Sequence, residues 1–183
     1  ILLRQNKSRQ NDHGLYRIDS ESGDETLIAE SDEDVVQWIT GRNGDLVGCI
    51  RALKTNELQL ERFDKGVWHI LQTWTPEENV TSIGLTPDNT GLWLLSNRGR
   101  RTMALVRFDL STGKEALVLQ DAGADIEEVL ISPETGKLLF AWSNPDYPKF
   151  HVLDPSLKIH MDILNPKTPA GIKILGMDRS EQL

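Results

Sequence analysis

An aspartate that returns every 45 residues, short apolar runs that alternate with a period of two, and polar glycine-bearing turns between them predict an all-β fold. The architecture expected is a β-propeller: four repeats of four-stranded antiparallel blades, forming part of a seven- or eight-bladed ring.

The repeat rests on four copies of one phrase, an alternating apolar stretch that ends in aspartate. These are Leu15-Tyr16-Arg17-Ile18-Asp19, Leu60-Glu61-Arg62-Phe63-Asp64, Leu105-Val106-Arg107-Phe108-Asp109 and Phe150-His151-Val152-Leu153-Asp154. A second phrase returns every 46 residues as a strand end, a polar turn with glycine and a new apolar strand: Trp38 to Asp45, Gly84 to Gly91 and Leu130 to Lys137. Each unit therefore reads as four strands, a to d from the propeller axis outward. In the third unit they run from Val80 to Leu85, Leu92 to Ser96, Met103 to Phe108 and Ala116 to Leu119. Strands and turns this closely spaced leave no room for a helix of any length. The blades expected are 1-34, 35-79, 80-125 and 126-170, with the first strand of another blade in 171-183. Ile1 to Lys7 reads as a strand b, so the first blade lacks its own strand a. Chain ends at strand boundaries suit a piece of a longer polypeptide and favour part of a larger ring over a closed four-bladed one.

Composition narrows the partners. A chain of 183 residues with a formal charge of −8 lacks the clustered basic surface that phosphate binding needs, so no nucleic-acid partner is expected. Its one dense basic run, Arg98-Gly99-Arg100-Arg101, reads as a solvated loop. Apolar runs such as Leu138 to Trp142 are strand length, far short of the ~20 residues of a membrane helix. The single cysteine, Cys49, sits in an apolar strand pattern and reads as a buried small hydrophobe. The compartment stays open between cytoplasm and periplasm.

The search for chemistry yields no catalytic set, no cofactor site and no metal site. A Gly-x-Ser-x-Gly elbow is absent, and Ser96 and Ser143 read as turn residues at strand ends. His13, His69, His151 and His160 lack the paired spacing of zinc ligands. Asp19, Asp64, Asp109 and Asp154 read as structural, their carboxylates accepting backbone amides in the turn after strand c. Carboxylates also gather before each strand a: Asp32, Glu33 and Asp34, then Glu77 and Glu78, then Asp125, Glu127 and Glu128. On a propeller these connections approach the channel mouth, which makes Asp34, Glu78 and Glu128 a candidate acidic rim. Such a rim either aids solvation or attracts a cation or a peptide amino terminus.

Two phrases carry a family resemblance. Ser132-Pro133-Glu134-Thr135-Gly136-Lys137-Leu138-Leu139-Phe140 and Thr86-Pro87-Asp88-Asn89-Thr90-Gly91-Leu92-Trp93 resemble the Ser-Pro-Asp-Gly-Lys phrase of propellers in the prolyl oligopeptidase family and in Tol-system periplasmic proteins. Ser96-Asn97-Arg98-Gly99 is similar to the Ser-Asp-Arg-Gly phrase that follows it in both. Phe150-His151-Val152-Leu153-Asp154-Pro155-Ser156-Leu157 resembles the late propeller of acylaminoacyl-peptidase and dipeptidyl-aminopeptidase-like members. The weaker first units depart from the pattern, since Thr40-Gly41-Arg42-Asn43-Gly44 lacks the proline. The resemblance implies the non-catalytic propeller part of a serine peptidase, a hydrolase whose C-terminal α/β-hydrolase domain carries a Ser-Asp-His triad beyond Leu183. The propeller would cap that active site and filter peptide substrates. The alternative is a stand-alone protein-interaction or periplasmic Tol-type scaffold. Exposed faces on the terminal blades imply self-association.

Overall fold

The computed structural model describes residues 2–6, 13–31 and 34–164. Fourteen strands among them form four antiparallel sheets, each a meander whose neighbours in sequence are neighbours in space. The fold is all-β and of the propeller class, its repeating unit being the four-stranded blade.

The residues up to Asn79 make one compact unit. Its first sheet joins β1 (Leu2–Asn6), β2 (His13–Ile18) and β3 (Glu25–Ser31). Its second joins β4 (Val35–Thr40), β5 (Leu46–Ala52), β6 (Leu58–Asp64) and β7 (Val67–Trp74). β5 and β6 are central strands, and Cys49, Ile50 and Leu60 are fully buried on them. Gly48 lies on β5 because a Cβ there would stand 2.2 Å from the Glu61 carbonyl oxygen. Trp68 stacks at an angle on Phe63 and Trp38, with centroids 4.9 and 6.3 Å away.

The residues from Val80 make the second unit. One sheet joins β8 (Val80–Leu85), β9 (Gly91–Ser96), β10 (Ala104–Asp109) and β11 (Glu115–Leu119). The other joins β12 (Ile126–Ile131), β13 (Leu138–Ser143) and β14 (Lys149–Val152). Leu95 and Leu105 from the first of these sheets bury against Ile126, Val129 and Ala141 from the second. Polar ties also fix the pair, among them the Ile126 amide donating to the Met103 carbonyl at 2.9 Å. The Trp93 Nε1 donates to the Gly136 carbonyl at 2.8 Å, and the Asp125 carboxylate accepts from the Met103 amide at 2.7 Å.

One expectation is corrected. The fourth unit does not continue into a strand after β14: Pro155–Leu157 forms a 3-10 turn that leads into α1, Lys158–Leu164. The reason is local and then tertiary. Asp154 caps the turn by accepting from the Ser156 amide at 2.9 Å, and Pro155 takes a first helical position, where its missing N–H costs nothing. Leu157 and Met161, four residues apart, then bury together against Phe140 and Trp142 of β13 and Phe150 of β14. A proline at the start of an outer strand would instead withdraw a ladder donor. The expected strand in 171-183 lies outside the described residues.

Candidate functional site

The four repeated aspartates do not share one environment. Asp19 and Asp109 open near-identical four-residue turns, 20–23 and 110–113. Asp19 Oδ1 accepts from the amides of Glu21 and Ser22 at 2.8 and 2.9 Å, and Asp109 Oδ1 from those of Ser111 and Thr112 at 3.0 and 2.9 Å. Gly23 and Gly113 follow with φ of 77° and 69°, and their amides return to the aspartate carbonyls. Donors aimed at the ionised form hold both carboxyls below the ordinary carboxylate range: the Ser22 and Glu21 amides at Asp19, and Ser111 then Thr112 at Asp109. Asp154 uses the same kind of bond to cap the 3-10 turn, and Ser156 keeps its carboxyl low. Asp64 differs. The two-residue turn Lys65-Gly66, with φ of 49° and 84°, pairs Asp64 directly with Val67, so no turn amide is left to reach its side chain.

The acidic residues of the candidate rim are each engaged separately. Asp34 accepts from the Arg51 guanidinium at 2.7 Å. Glu78 accepts from the Thr75 amide at 3.0 Å and so closes the turn before β8. Glu128 is an exposed residue of β12 opposite Trp142. Asp32 and Glu33 lie outside the described residues. Among the described residues there is no group of three or more histidines, cysteines or acids arranged to hold a metal ion.

What concentrates instead is buried polarity at the end of the second strand of three successive sheets. Arg51 on β5 is held by Glu61 at 2.8 Å and by Asp34, with Trp68 5.4 Å from its guanidinium carbon. Beside it Cys49 is fully buried, and burial pushes its thiol up to about 12. Ser96 on β9 is fully buried and donates to Glu115 at 3.1 Å, whose second oxygen takes Arg100 at 3.2 Å. Ser143 on β13 is fully buried and donates to Asp121 at 3.1 Å. Ser96 keeps its expected turn role, since its Oγ accepts from the Arg98 amide at 3.2 Å, whereas Ser143 corrects that reading. They end strands, but their hydroxyls face inward and are consumed by carboxylates.

The third cluster is the richest. Asp121, in the loop between β11 and β12, accepts at Oδ2 from Ser143 and from Lys149 Nζ at 2.8 Å, and at Oδ1 from the Gly123 amide at 3.0 Å. Lys149 first, then Gly123, pulls its carboxyl down to about 2. The His151 Nε2 lies 2.9 Å from the Ser143 oxygen and 4.0 Å from Asp121 Oδ2. Burial, seconded by the Lys149 charge, holds the imidazole below its ordinary value. Serine, histidine and aspartate meet here, yet the order is wrong for a nucleophile. In a hydrolytic triad the histidine takes the serine proton and the acid holds the other ring nitrogen. Here the serine gives its proton to the acid and is closed to substrate. The cluster orients a loop and a strand end.

This cluster was not legible in the sequence, because Asp121 and His151 are 30 residues apart and Asp121 belongs to no repeated phrase. The one available signal was the serine that ends both Leu92 to Ser96 and Leu138 to Ser143.

Comparisons with known proteins stand beside this geometry. No protein-family model matches the chain. Dipeptidyl aminopeptidase BIII of Pseudoxanthomonas mexicana is 29% identical over 177 residues, which is 95% of this chain and 26% of that protein. TolB of Acinetobacter baumannii aligns with a TM-score of 0.42 and 12% identity over 84% of this chain and 50% of its own. A putative 6-phosphogluconolactonase of Bacteroides uniformis aligns at 0.43 and 11%, over 85% and 48%. A Lactobacillus plantarum protein aligns at 0.45 and 13%, over 91% and 48%. The chain spans about a quarter of the curated relative and about half of each of these solved structures.

Proposed function

We propose that this chain is the non-catalytic propeller part of a serine peptidase of the prolyl oligopeptidase family, and that it caps the active site and filters peptide substrates. One observation carries the reading: the similarity to a dipeptidyl aminopeptidase runs through 95% of the chain, so it spans all four described sheets. The buried Ser143 hydroxyl, spent on Asp121, is consistent with a part that binds and shields while chemistry happens elsewhere. The reacting groups then belong to an α/β-hydrolase domain of the same polypeptide, acting on peptides presented through the propeller.

Amide hydrolysis needs an activated nucleophile, a base in reach and oxyanion donors, and loss of triad members leaves a small residual rate. The isolated 183-residue chain is therefore expected to leave aminoacyl and dipeptidyl reporter substrates intact. The full-length parent is expected to cleave them and to be blocked by serine-directed inhibitors. Cleavage by the purified chain would overturn the non-catalytic assignment. An inert parent without a downstream Gly-x-Ser-x-Gly elbow would support the stand-alone interaction scaffold instead.

A further inference from the structure

The Asp121, Ser143, His151 and Lys149 cluster has a hydrogen-bond order that the number of protons dictates. Ser143 owns one hydroxyl hydrogen and donates it to Asp121 Oδ2. Its oxygen can therefore only accept from His151, so the neutral imidazole carries its hydrogen on Nε2 and leaves Nδ1 bare. An incoming proton goes to Nδ1 and charges the ring. Nε2 then belongs to a cation 4.0 Å from an oxygen that Lys149 already holds at 2.8 Å.

The charged groups facing the imidazole are Asp121 from the β11–β12 loop and Lys149 from its own strand, with neutral Ser143 from β13. Two cations then compete for one carboxylate oxygen, and their mobilities differ. The His151 side chain is 14% exposed and stands on a paired strand, whereas that of Lys149 is 57% exposed on a flexible stem at the strand end. A half-exposed lysine pair is worth little, and its ammonium regains full hydration by swinging outward. The buried imidazolium has no such exit.

We propose that proton uptake by His151 transfers the Asp121 carboxylate from Lys149 to the imidazolium and releases Lys149 to solvent, a proton-operated exchange at the end of β14. The β11–β12 loop stays clamped to the sheet through Asp121 in both states. What changes is the surface. Beside the exposed Tyr147, a masked ammonium becomes a free one on acidification.

The test is a pH titration by NMR of the full chain, following the His151 ring and lysines dimethylated with a carbon-13 label, which keeps their charge. His151 is expected to titrate with a midpoint below 6.5, and the Lys149 methyl resonance to move with the same midpoint. In H151Q the lysine resonance should stay still over that range. In K149M, losing the neighbouring charge should raise the His151 midpoint. Far-UV circular dichroism of each sample reports whether the chain is folded at every point. A Lys149 resonance that stays flat while His151 titrates overturns the exchange, as does an unmoved midpoint in K149M. An imidazole that remains neutral until the chain unfolds overturns it as well.

Discussion

At the scale of single residues, the repeated aspartate separates a shared sequence position from a shared role. Asp109 accepts from two amides and two hydroxyls of Ser111 and Thr112, and Arg107 adds a pair at 3.2 Å. Asp64 occupies the same place in its repeat, but a two-residue turn leaves its carboxylate without those amides. Asp109→Ala is expected to lower the melting temperature by several degrees and Asp64→Ala to leave it nearly unchanged, as read by thermal denaturation of the two variants side by side. The same bonds set a dependence on acid. The Asp19, Asp109 and Asp154 carboxyls are depressed below the unfolded value of 3.8. Their stabilisation is therefore fully present above that value and is lost as pH falls through it toward the folded values. Melting curves taken from roughly pH 5 down to 2 should show this decline setting in below about pH 4, and Asp109→Asn should flatten it. His151 adds a second, milder window. Its folded value lies below 6.5, so the unfolded chain gains the proton first and stability falls as pH drops from 6.5 toward that value.

At the scale of elements, close approach and apolar spacing decide what each segment becomes. Gly48 stands opposite Arg62 in the β5–β6 pair, with the Glu61 carbonyl oxygen 2.2 Å from where a Cβ would sit. Backbone is what obstructs, so Gly48→Ala must push the two strands apart, at a cost of about 1–3 kcal/mol read by urea denaturation. Helix α1 depends on burial more than on its own propensity, because seven residues are too few to be helical alone. Met161 is 4% exposed against Trp142 and Leu157, so Met161→Ala is expected to cost about 2–5 kcal/mol locally. Hydrogen exchange should then show lost protection from Lys158 to Leu164 while β8 to β10 keep theirs. Preserved protection in α1 would mean that the Lys158–Asp162 pair and the Asp154 cap suffice, and the packing argument would fail.

At the scale of the whole molecule, each sheet must cover two faces, and apolar surface removed from water is worth roughly 25 cal/mol per Å². Several large apolar side chains stay exposed, among them Ile159 and Ile163 on α1 and Val67 and Ile70 on β7. The isolated chain is accordingly expected to self-associate. Sedimentation velocity should give a weight-average mass that rises with concentration, and a mass constant at the 20.6 kDa monomer would contradict it. Among the described residues no helix is long and apolar enough to cross a membrane.

Strand positions were readable because period-two alternation and turn chemistry act over a few neighbouring residues. β8, β9, β10 and β11 begin and end within one residue of where alternation put them. The glycine-bearing turns at Gly23, Gly113 and Gly136 were legible for the same reason: a positive φ is a local demand with a local answer. The repeat itself misled at two places. It assigned one role to four aspartates, although a change in turn length from four residues to two reverses which groups remain unpaired. It also extended β-structure past Asp154, where Pro155 and the spacing of Leu157 and Met161 admit a helix that Phe140, Trp142 and Phe150 make worthwhile by burying one side of it. The cluster at Asp121 lay beyond any local rule. Its partners come from a loop and two strands brought together by the antiparallel register of β13 and β14, and Ser143 meets Lys149 only because the sheet sets them opposite one another. Hydrophobic periodicity names the strands and their order, whereas pairing of buried polar groups depends on distances that exist only once those strands have packed.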